Sequence, residues 1–360
     1  RLMTIGRVAN LTQAHLGRAA CQYRDICSRG CSYGAYFSSQ SSTLPAARAT
    51  GNLTLRPNSI VRSVIFDPES GKASGVRVVD RETGEEREVH ARLVFLCAST
   101  LGSTRILLNS TSKRFPNGLA NSSGELGHNL MDHHFKVGAA AEVPGYEDRY
   151  YYGKRANGIY IPRFRNVEGS DVEFARGYGY QGGASRGTWS RGIGSSEFGA
   201  DFKEKLRRPG RWSMFLIGFG EMLPRHENYA ELDPEVTDEW GIPVLRISCT
   251  MGENEEAMRE DMQVQAAQML EAAGGENVQP YMNSYAPGEG IHEMGTARMG
   301  RDPETSVLNE WNQAHDVPNL FVTDGSCMTS ASCQNPSITY MALTARAVDY
   351  AAREVERGNL

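Results

Sequence analysis

The stretch His292-Glu-Met-Gly-Thr-Ala-Arg-Met-Gly300 sets one imidazole ahead of a run of small residues and glycines. Such a run makes a tight turn that leaves the imidazole accessible. A neutral imidazole titrates close enough to neutrality to take a proton from a hydroxyl. A histidine satisfied by its own turn would read the same way, so the residue type alone leaves both roles open. A second polar group, Asn335, precedes Pro336 and a periodic apolar run. Its amide both donates and accepts, which suits capping a helix or orienting an oxygen. The third constellation is Cys21, Cys27 and Cys31, three of the seven cysteines. Clustered thiols fit an iron–sulfur site, one disulfide with a spare thiol, or three free thiols, and the spacing admits each. His128, His133 and His134 could suggest a metal site, but no cysteine accompanies them. Gly177-Tyr-Gly179-Tyr-Gln-Gly182 matches a dinucleotide fingerprint, and Gly183-Ala-Ser185-Arg-Gly187 a nucleophile elbow. Neither has the apolar strand before it and the helix after it that would make it work.

The elements that must position these groups follow from pattern. Leu53–Leu55, Ile60–Phe66, Gly75–Val79 and Val89–Cys97 are β-rich runs, with turn chemistry at Pro68–Gly71 and Arg81–Gly84. Leu93-Val-Phe-Leu-Cys-Ala98 is nearly all apolar, as in a strand buried on both faces. A small-residue turn and a helical pattern through Arg105, Ile106 and Leu108 follow it, an arrangement that seats a nucleotide phosphate. Met214–Phe219 and Val244–Cys249 read as further strands. A helix is expected from Glu255 to Ala273, with Met258, Met262, Ala266 and Met269 on its core face and Gly274-Gly275 ending it. Leu320–Thr323 is a short buried strand. A last helix is expected from Pro336 to about Glu356, with Asn335 as its cap.

Composition narrows the class. The 360 residues carry a formal charge of −5, 40% apolar residues and no long basic run, which argues for a globular protein that does not bind nucleic acid. No apolar stretch approaches the ~20 residues of a membrane span. Many of the 38 glycines fall between Gly169 and Gly220, a loop-rich middle without repeat period. Arg1–Thr12 shows no signal-peptide core and reads as the middle of a fold.

Five ordered segments resemble the glucose–methanol–choline (GMC) flavoprotein oxidoreductases. His292–Gly300 resembles the segment that opens on the family's catalytic histidine. Leu96-Cys-Ala-Ser-Thr-Leu-Gly102-Ser-Thr-Arg-Ile-Leu-Leu108 resembles its second flavin-contacting signature. Leu126-Gly-His-Asn-Leu-Met-Asp-His133 resembles its G-x-N-L-x-D-H segment. Val322-Thr-Asp324-Gly325 and Asn335-Pro336-Ser-Ile-Thr339 resemble its pyrophosphate-and-ribityl and N-P-x-x-T segments.

The resemblance implies an α/β (α+β) chain with three parts. Residues 1–135 form a partial FAD-binding domain, 136–285 an inserted antiparallel-sheet substrate domain, and 286–360 the returning FAD-binding segment. It implies FAD as cofactor, His292 as base and Asn335 as the second active-site residue. Cofactor contacts would come from Val61, Ala98, Gly102, Asn129, Asp324, Gly325, Asn335, Pro336 and Thr339. Family members carry a G-x-G-x-x-G βαβ unit roughly two hundred residues before the equivalent of Arg1. These 360 residues hold no such unit and correspond to the C-terminal two-thirds.

The implied reaction is oxidation of an alcohol, and pairing His with Asn resembles the members that act on sugars and sugar acids. Tyr150–Tyr152 and Arg176–Tyr180 could line a polar substrate pocket or lie in exposed loops. The cysteine spacing resembles the three-iron cluster ligands of bacterial flavin glucose dehydrogenases; with such a cluster, electrons would leave through a partner subunit. The competing reading is a non-catalytic assembly fragment unable to hold FAD alone.

Overall fold

The computed structural model describes residues 8–24, 26–149, 158–169 and 172–360. After a short helix α1 (Thr43–Ala49), β1 (Ser59–Asp67), β2 (Lys72–Asp80) and β3 (Glu86–His90) make an antiparallel three-stranded sheet in that order. The turns between them are the expected ones, with Gly71 and Gly84 at φ of 68° and 74°. The run expected as one strand over Val89–Cys97 is instead divided. β3 ends at His90, and β4 (Val94–Leu96) leaves the sheet to pair elsewhere. The reason is a change of partner. β3 pairs antiparallel with β2, whereas β4 pairs parallel with β12 (Leu320–Val322), Phe95 opposite Phe321. Those two rings stack with centroids 4.7 Å apart. Leu53–Leu55 is not a strand either; it has no partner and Leu55 is exposed.

Helix α2 (Thr100–Asn109) follows β4 directly and buries Ile106 and Leu107 against the β4–β12 pair. The second layer is a five-stranded antiparallel sheet. Its strands are β5 (His133–Val143), β6 (Ile159–Ile161), β7 (Tyr178–Arg186), β8 (Trp212–Glu221) and β11 (Glu276–Met282), in the order β11-β5-β8-β7-β6. A separate ribbon pairs β9 (Tyr229–Thr237) with β10 (Pro243–Ser248), and a short helix α3 (Ala200–Arg207) precedes β8.

Helix α4 (Glu253–Ala272) lies across one face of the five-stranded sheet. Met258, Met262, Ala266 and Leu270 are buried there. Leu270 completes the stripe in place of Met269, which is only partly covered. Each fully buried methionine contributes roughly 1.5–3 kcal/mol through apolar burial. Tyr178 and Tyr180 point into the same core and are fully buried; their hydroxyls donate to Asp261 (2.5 Å) and the Met262 carbonyl (2.6 Å). They line no pocket and lie in no exposed loop, because alternate residues of a strand face one side and this pair faces α4. Tyr150–Tyr152 lie outside the described residues. The discarded G-x-G-x-x-G segment lies along β7, where a Cβ on Gly182 would stand 2.2 Å from the Phe215 carbonyl. Those glycines let strands approach. No described helix is long and apolar enough to cross a membrane.

The last helix, α5, runs Ser337–Glu356, close to expectation, but Asn335 does not cap it. Pro336 occupies the cap position without a side-chain hydrogen bond, because the Asn335 amide is engaged elsewhere.

Candidate active site

His292 follows Ile291, a β-branched residue held at φ 56°. A left-handed backbone at such a residue is strained and persists only where its surroundings impose it. Here they do. The buried carboxylate of Asp132 gathers the loop around itself. Its Oδ1 accepts from the backbone N–H of His133 (2.7 Å) and His292 (3.2 Å). Its Oδ2 accepts from Gly288 N (2.9 Å), Gly290 N (2.8 Å) and the Tyr285 hydroxyl (2.8 Å). Gly290 is needed for this approach, since a Cβ there would stand 2.3 Å from Oδ1.

The imidazole so placed has a polar partner at each nitrogen. His292 Nδ1 lies 2.9 Å from Nδ1 of His133, and Nε2 lies 3.2 Å from the Asn335 amide nitrogen. Asn335 Oδ1 accepts from Gln181 Nε2 at 2.5 Å. Gln181 is on β7, facing away from the tyrosine core. Phe219 on β8 stands beside both histidine rings, and the Tyr160 hydroxyl on β6 accepts from Gln334 (2.8 Å). One face of the five-stranded sheet therefore forms a wall opposite His292, mixing amide, phenol and phenyl groups. Burial pushes the His292 imidazole down to about 4, helped by neighbouring His133 and opposed by Asp132. His133 is lowered too, first by burial. Both rings are neutral near pH 7.

The expected cofactor residues gather beside this pair. β4 and β12 are parallel, so their carboxyl ends open on the same side, where open α/β sheets seat ligands. Exposed Ala98 and Ser99 form the turn after β4, with Ser99 at φ 67°, and a Cβ added to Gly102 would stand 3.3 Å from the Ala98 Cβ. Asp324 and Gly325 form the turn after β12. Ser103 donates to Asp324 Oδ2, and Ser326 N donates to Oδ1 at 3.0 Å, which ties the two turns together. Thr100 donates to the Glu293 carbonyl, and Gly295 N to Gly325 O at 3.1 Å, which joins both turns to the His292 loop. The uncapped start of α5, with Pro336 and exposed Thr339, directs a helix N-terminus at the same place. Accessible turns at two parallel strand ends and an uncapped helix fit a dinucleotide.

Two further expected contacts lie in other elements. Asn129 is buried at φ 61°, and its side chain donates to Glu125 at 2.7 Å. Its backbone meets Gly295, where a Cβ would lie 2.1 Å from the Asn129 carbonyl. Val61 lies in β1, the edge strand of its sheet, at a register shift.

The expectation of an iron–sulfur site at Cys21, Cys27 and Cys31 is not met. Among the described residues no three His, Cys, Asp or Glu side chains converge as metal ligands, and no cysteine forms a disulfide. Asn10 reaches the thiols of Cys21 and Cys27 at 3.6 and 3.8 Å. Cys31 turns instead to its own loop, where the Tyr36 backbone amide first, and those of Tyr33, Ala35 and Gly34, hold its thiol below the usual range.

Comparison with known proteins agrees with this geometry. Two sequence profiles, each described as GMC oxidoreductase, match residues 8–135 and 224–344. The chain belongs to the GMC oxidoreductase family. The 2-methyl-1,2-propanediol dehydrogenase of Mycolicibacterium austroafricanum is 35% identical over 317 residues, 86% of this chain and 56% of that protein. The fructose dehydrogenase large subunit of Gluconobacter japonicus is 25% identical over 95% of this chain and 61% of that protein. The chain thus spans about three fifths of these relatives. Among solved structures, pyridoxine 4-oxidase from Mesorbium loti superposes with a TM-score of 0.59 at 18% identity, covering 90% of this chain and 62% of that one. A formate oxidase of Aspergillus oryzae, studied for modification of its FAD, gives 0.60 at 16% identity, covering 90% and 64%. Both show the GMC fold. Homologues of this chain act on alcohol and sugar groups.

The sequence pointed to His292 and Asn335, placed Asp132 and His133 in a family segment without a role at this site, and passed over Gln181. The adjacent Asp132-His133 was a signal for that pair. Gln181 carried none, since only strand pairing brings it to Asn335.

Proposed function

We propose that the protein oxidises a CH–OH group of a sugar, glycoside or polyol, with FAD taking the hydride. The observation that carries this is the pairing of His292 Nε2 with Asn335 at the N-terminus of α5, beside the turns after β4 and β12. We read Ala98, Gly102, Asp324, Gly325, Pro336 and Thr339 as the residues that hold the cofactor, with the edge of β1 at Val61 and the Asn129 loop as outer supports. When bound, FAD supplies a two-electron acceptor at its N5.

The residues do the rest. Neutral His292 accepts the hydroxyl proton at Nε2 as the carbinol carbon gives up hydride. Asn335, held by Gln181, donates from Nδ2 and orients the same oxygen. The helix N-terminus favours negative charge on whatever lies before it. Gln181 and Tyr160, rather than a purely apolar wall, suit a substrate with several hydroxyls. Among the described residues no G-x-G-x-x-G segment forms a strand–turn–helix unit, and we read the chain as part of the FAD-binding domain together with the substrate domain.

In a flavin-loaded protein, His292→Ala should slow flavin reduction by the alcohol ~10²–10⁴-fold while binding changes little. The wild-type rate should hold level through neutral pH and fall as the pH drops toward about 4, where His292 takes its proton from solvent. The variant should lose that fall. Stopped-flow bleaching of the oxidised flavin band reads both, and a wild-type rate in His292→Ala removes His292 as the base.

A further inference from the structure

His133 is a buried imidazole to which the reaction above assigns nothing. Its Nε2 lies 3.1 Å from the carbonyl of Ala331, which can only accept. The ring is fully buried and neutral. Its one proton is therefore on Nε2, and its Nδ1 carries a lone pair. That lone pair faces Nδ1 of His292 at 2.9 Å, so His292 must carry its proton on Nδ1. Nε2 of His292 is then the lone pair, and it accepts from the Asn335 amide at 3.2 Å. The chain closes without conflict at the far end, where Gln181 donates to Asn335 Oδ1. Every hydrogen bond from Gln181 to Ala331 runs in one direction.

We propose that His133 is a positioning residue that fixes the tautomer of His292, presenting Nε2 as the proton acceptor. The role rests on the alcohol-oxidation reading for its effect on rate, but the tautomer itself does not. An isolated imidazole prefers its proton on Nε2, the nitrogen that has to be bare for the reaction. A buried acceptor at Nδ1 reverses that preference. When Nε2 takes the substrate proton, His292 holds protons on both nitrogens and a positive charge. The Nδ1–H bond to His133 persists and shares that charge, while His133 neither gains nor loses a proton. Asp132 keeps the geometry, since the same Oδ1 accepts from the backbone of both histidines. His133 also starts β5, paired with Glu221 of β8, so its ring is anchored in the sheet that carries the opposite wall.

The test uses ¹⁵N-histidine NMR on the flavin-free 360-residue chain near pH 7.5. Wild type should show His292 protonated at Nδ1 and His133 at Nε2, assigned by loss of signals in His292→Ala and His133→Leu. In His133→Leu, His292 should revert to the Nε2-protonated form. His133→Asn can accept from Nδ1 through its side-chain oxygen, so it should keep the Nδ1-protonated form. In flavin-loaded protein, His133→Leu should slow flavin reduction on the order of 10²-fold with little change in substrate affinity, and His133→Asn should recover most of that loss. Wild-type His292 protonated at Nε2, or a His133→Leu protein with unchanged tautomer, overturns the proposal. His292→Ala reducing flavin at the wild-type rate would instead remove His292 as the base, and wild-type flavin that no alcohol reduces would overturn the alcohol-oxidation reading; either would leave the tautomer result standing.

Discussion

At the scale of single residues, the site is organised by a carboxylate that does no chemistry. Asp132 meets five donors from His133, Tyr285, Gly288, Gly290 and His292, and none of its neighbours needs a donor in return. Asp132→Asn keeps the shape and turns one acceptor into a donor aimed at other donors. The cost of a buried donor left without an acceptor is about 1–3 kcal/mol. Chemical denaturation should show a lowered midpoint of that size. Flavin reduction should slow as well, because Ile291 is held at φ 56° only by the loop that Asp132 gathers. A midpoint equal to that of wild type would show the loop to be held by something else.

At the scale of elements, α5 is thinly covered for a helix of its length. Only Ala347 and Ala351 of its twenty residues are buried. Ile338, Met341 and Val348, spaced by three and seven, stay exposed at 78%, 46% and 49%. All three belong to the periodic apolar run that follows Asn335-Pro336. Their exposure on one side makes a continuous apolar stripe, and such stripes drive association when nothing covers them. A preparation of these 360 residues should self-associate as its concentration rises. Met341→Glu combined with Val348→Lys should abolish that association and leave the far-ultraviolet circular dichroism unchanged. Sedimentation velocity across a concentration series decides it: a monomer at every concentration for the unsubstituted chain would rule the stripe out as adhesive.

At the scale of the whole molecule, the proposed cofactor cradle is assembled from distant parts of the chain. Ser103 bonds Asp324, Thr100 bonds Glu293, and Leu96 pairs with Val322. Those parts supply turns and a helix end but no glycine-rich phosphate loop, the unit that ordinarily receives a pyrophosphate. The 360 residues on their own should therefore hold FAD weakly. Heat release and absorbance after purification should give well under one flavin per chain, and near-stoichiometric FAD would show that the two turns and α5 suffice.

Much of this was legible in order along the chain. The strands β1 and β2, helices α2, α4 and α5, and the choice of His292 and Asn335 as the residues to look at follow from local period, turn residues and motif. Those signals are short-range, and hydrophobic period and glycine placement act within one element. What needed the tertiary structure was everything set by partner choice. The Val89–Cys97 run divides because β2 and β12 claim its two halves. Tyr178 and Tyr180 are core rather than pocket because β7 lies between β6 and β8 with α4 on that side. Asn335 leaves its cap for His292, and Gln181 reaches it across 154 residues of sequence. His133, one of three histidines close together in sequence, becomes the partner of a fourth from 159 residues away. A side chain's type states which bonds it can make, and only the packed chain decides which group is there to make them with.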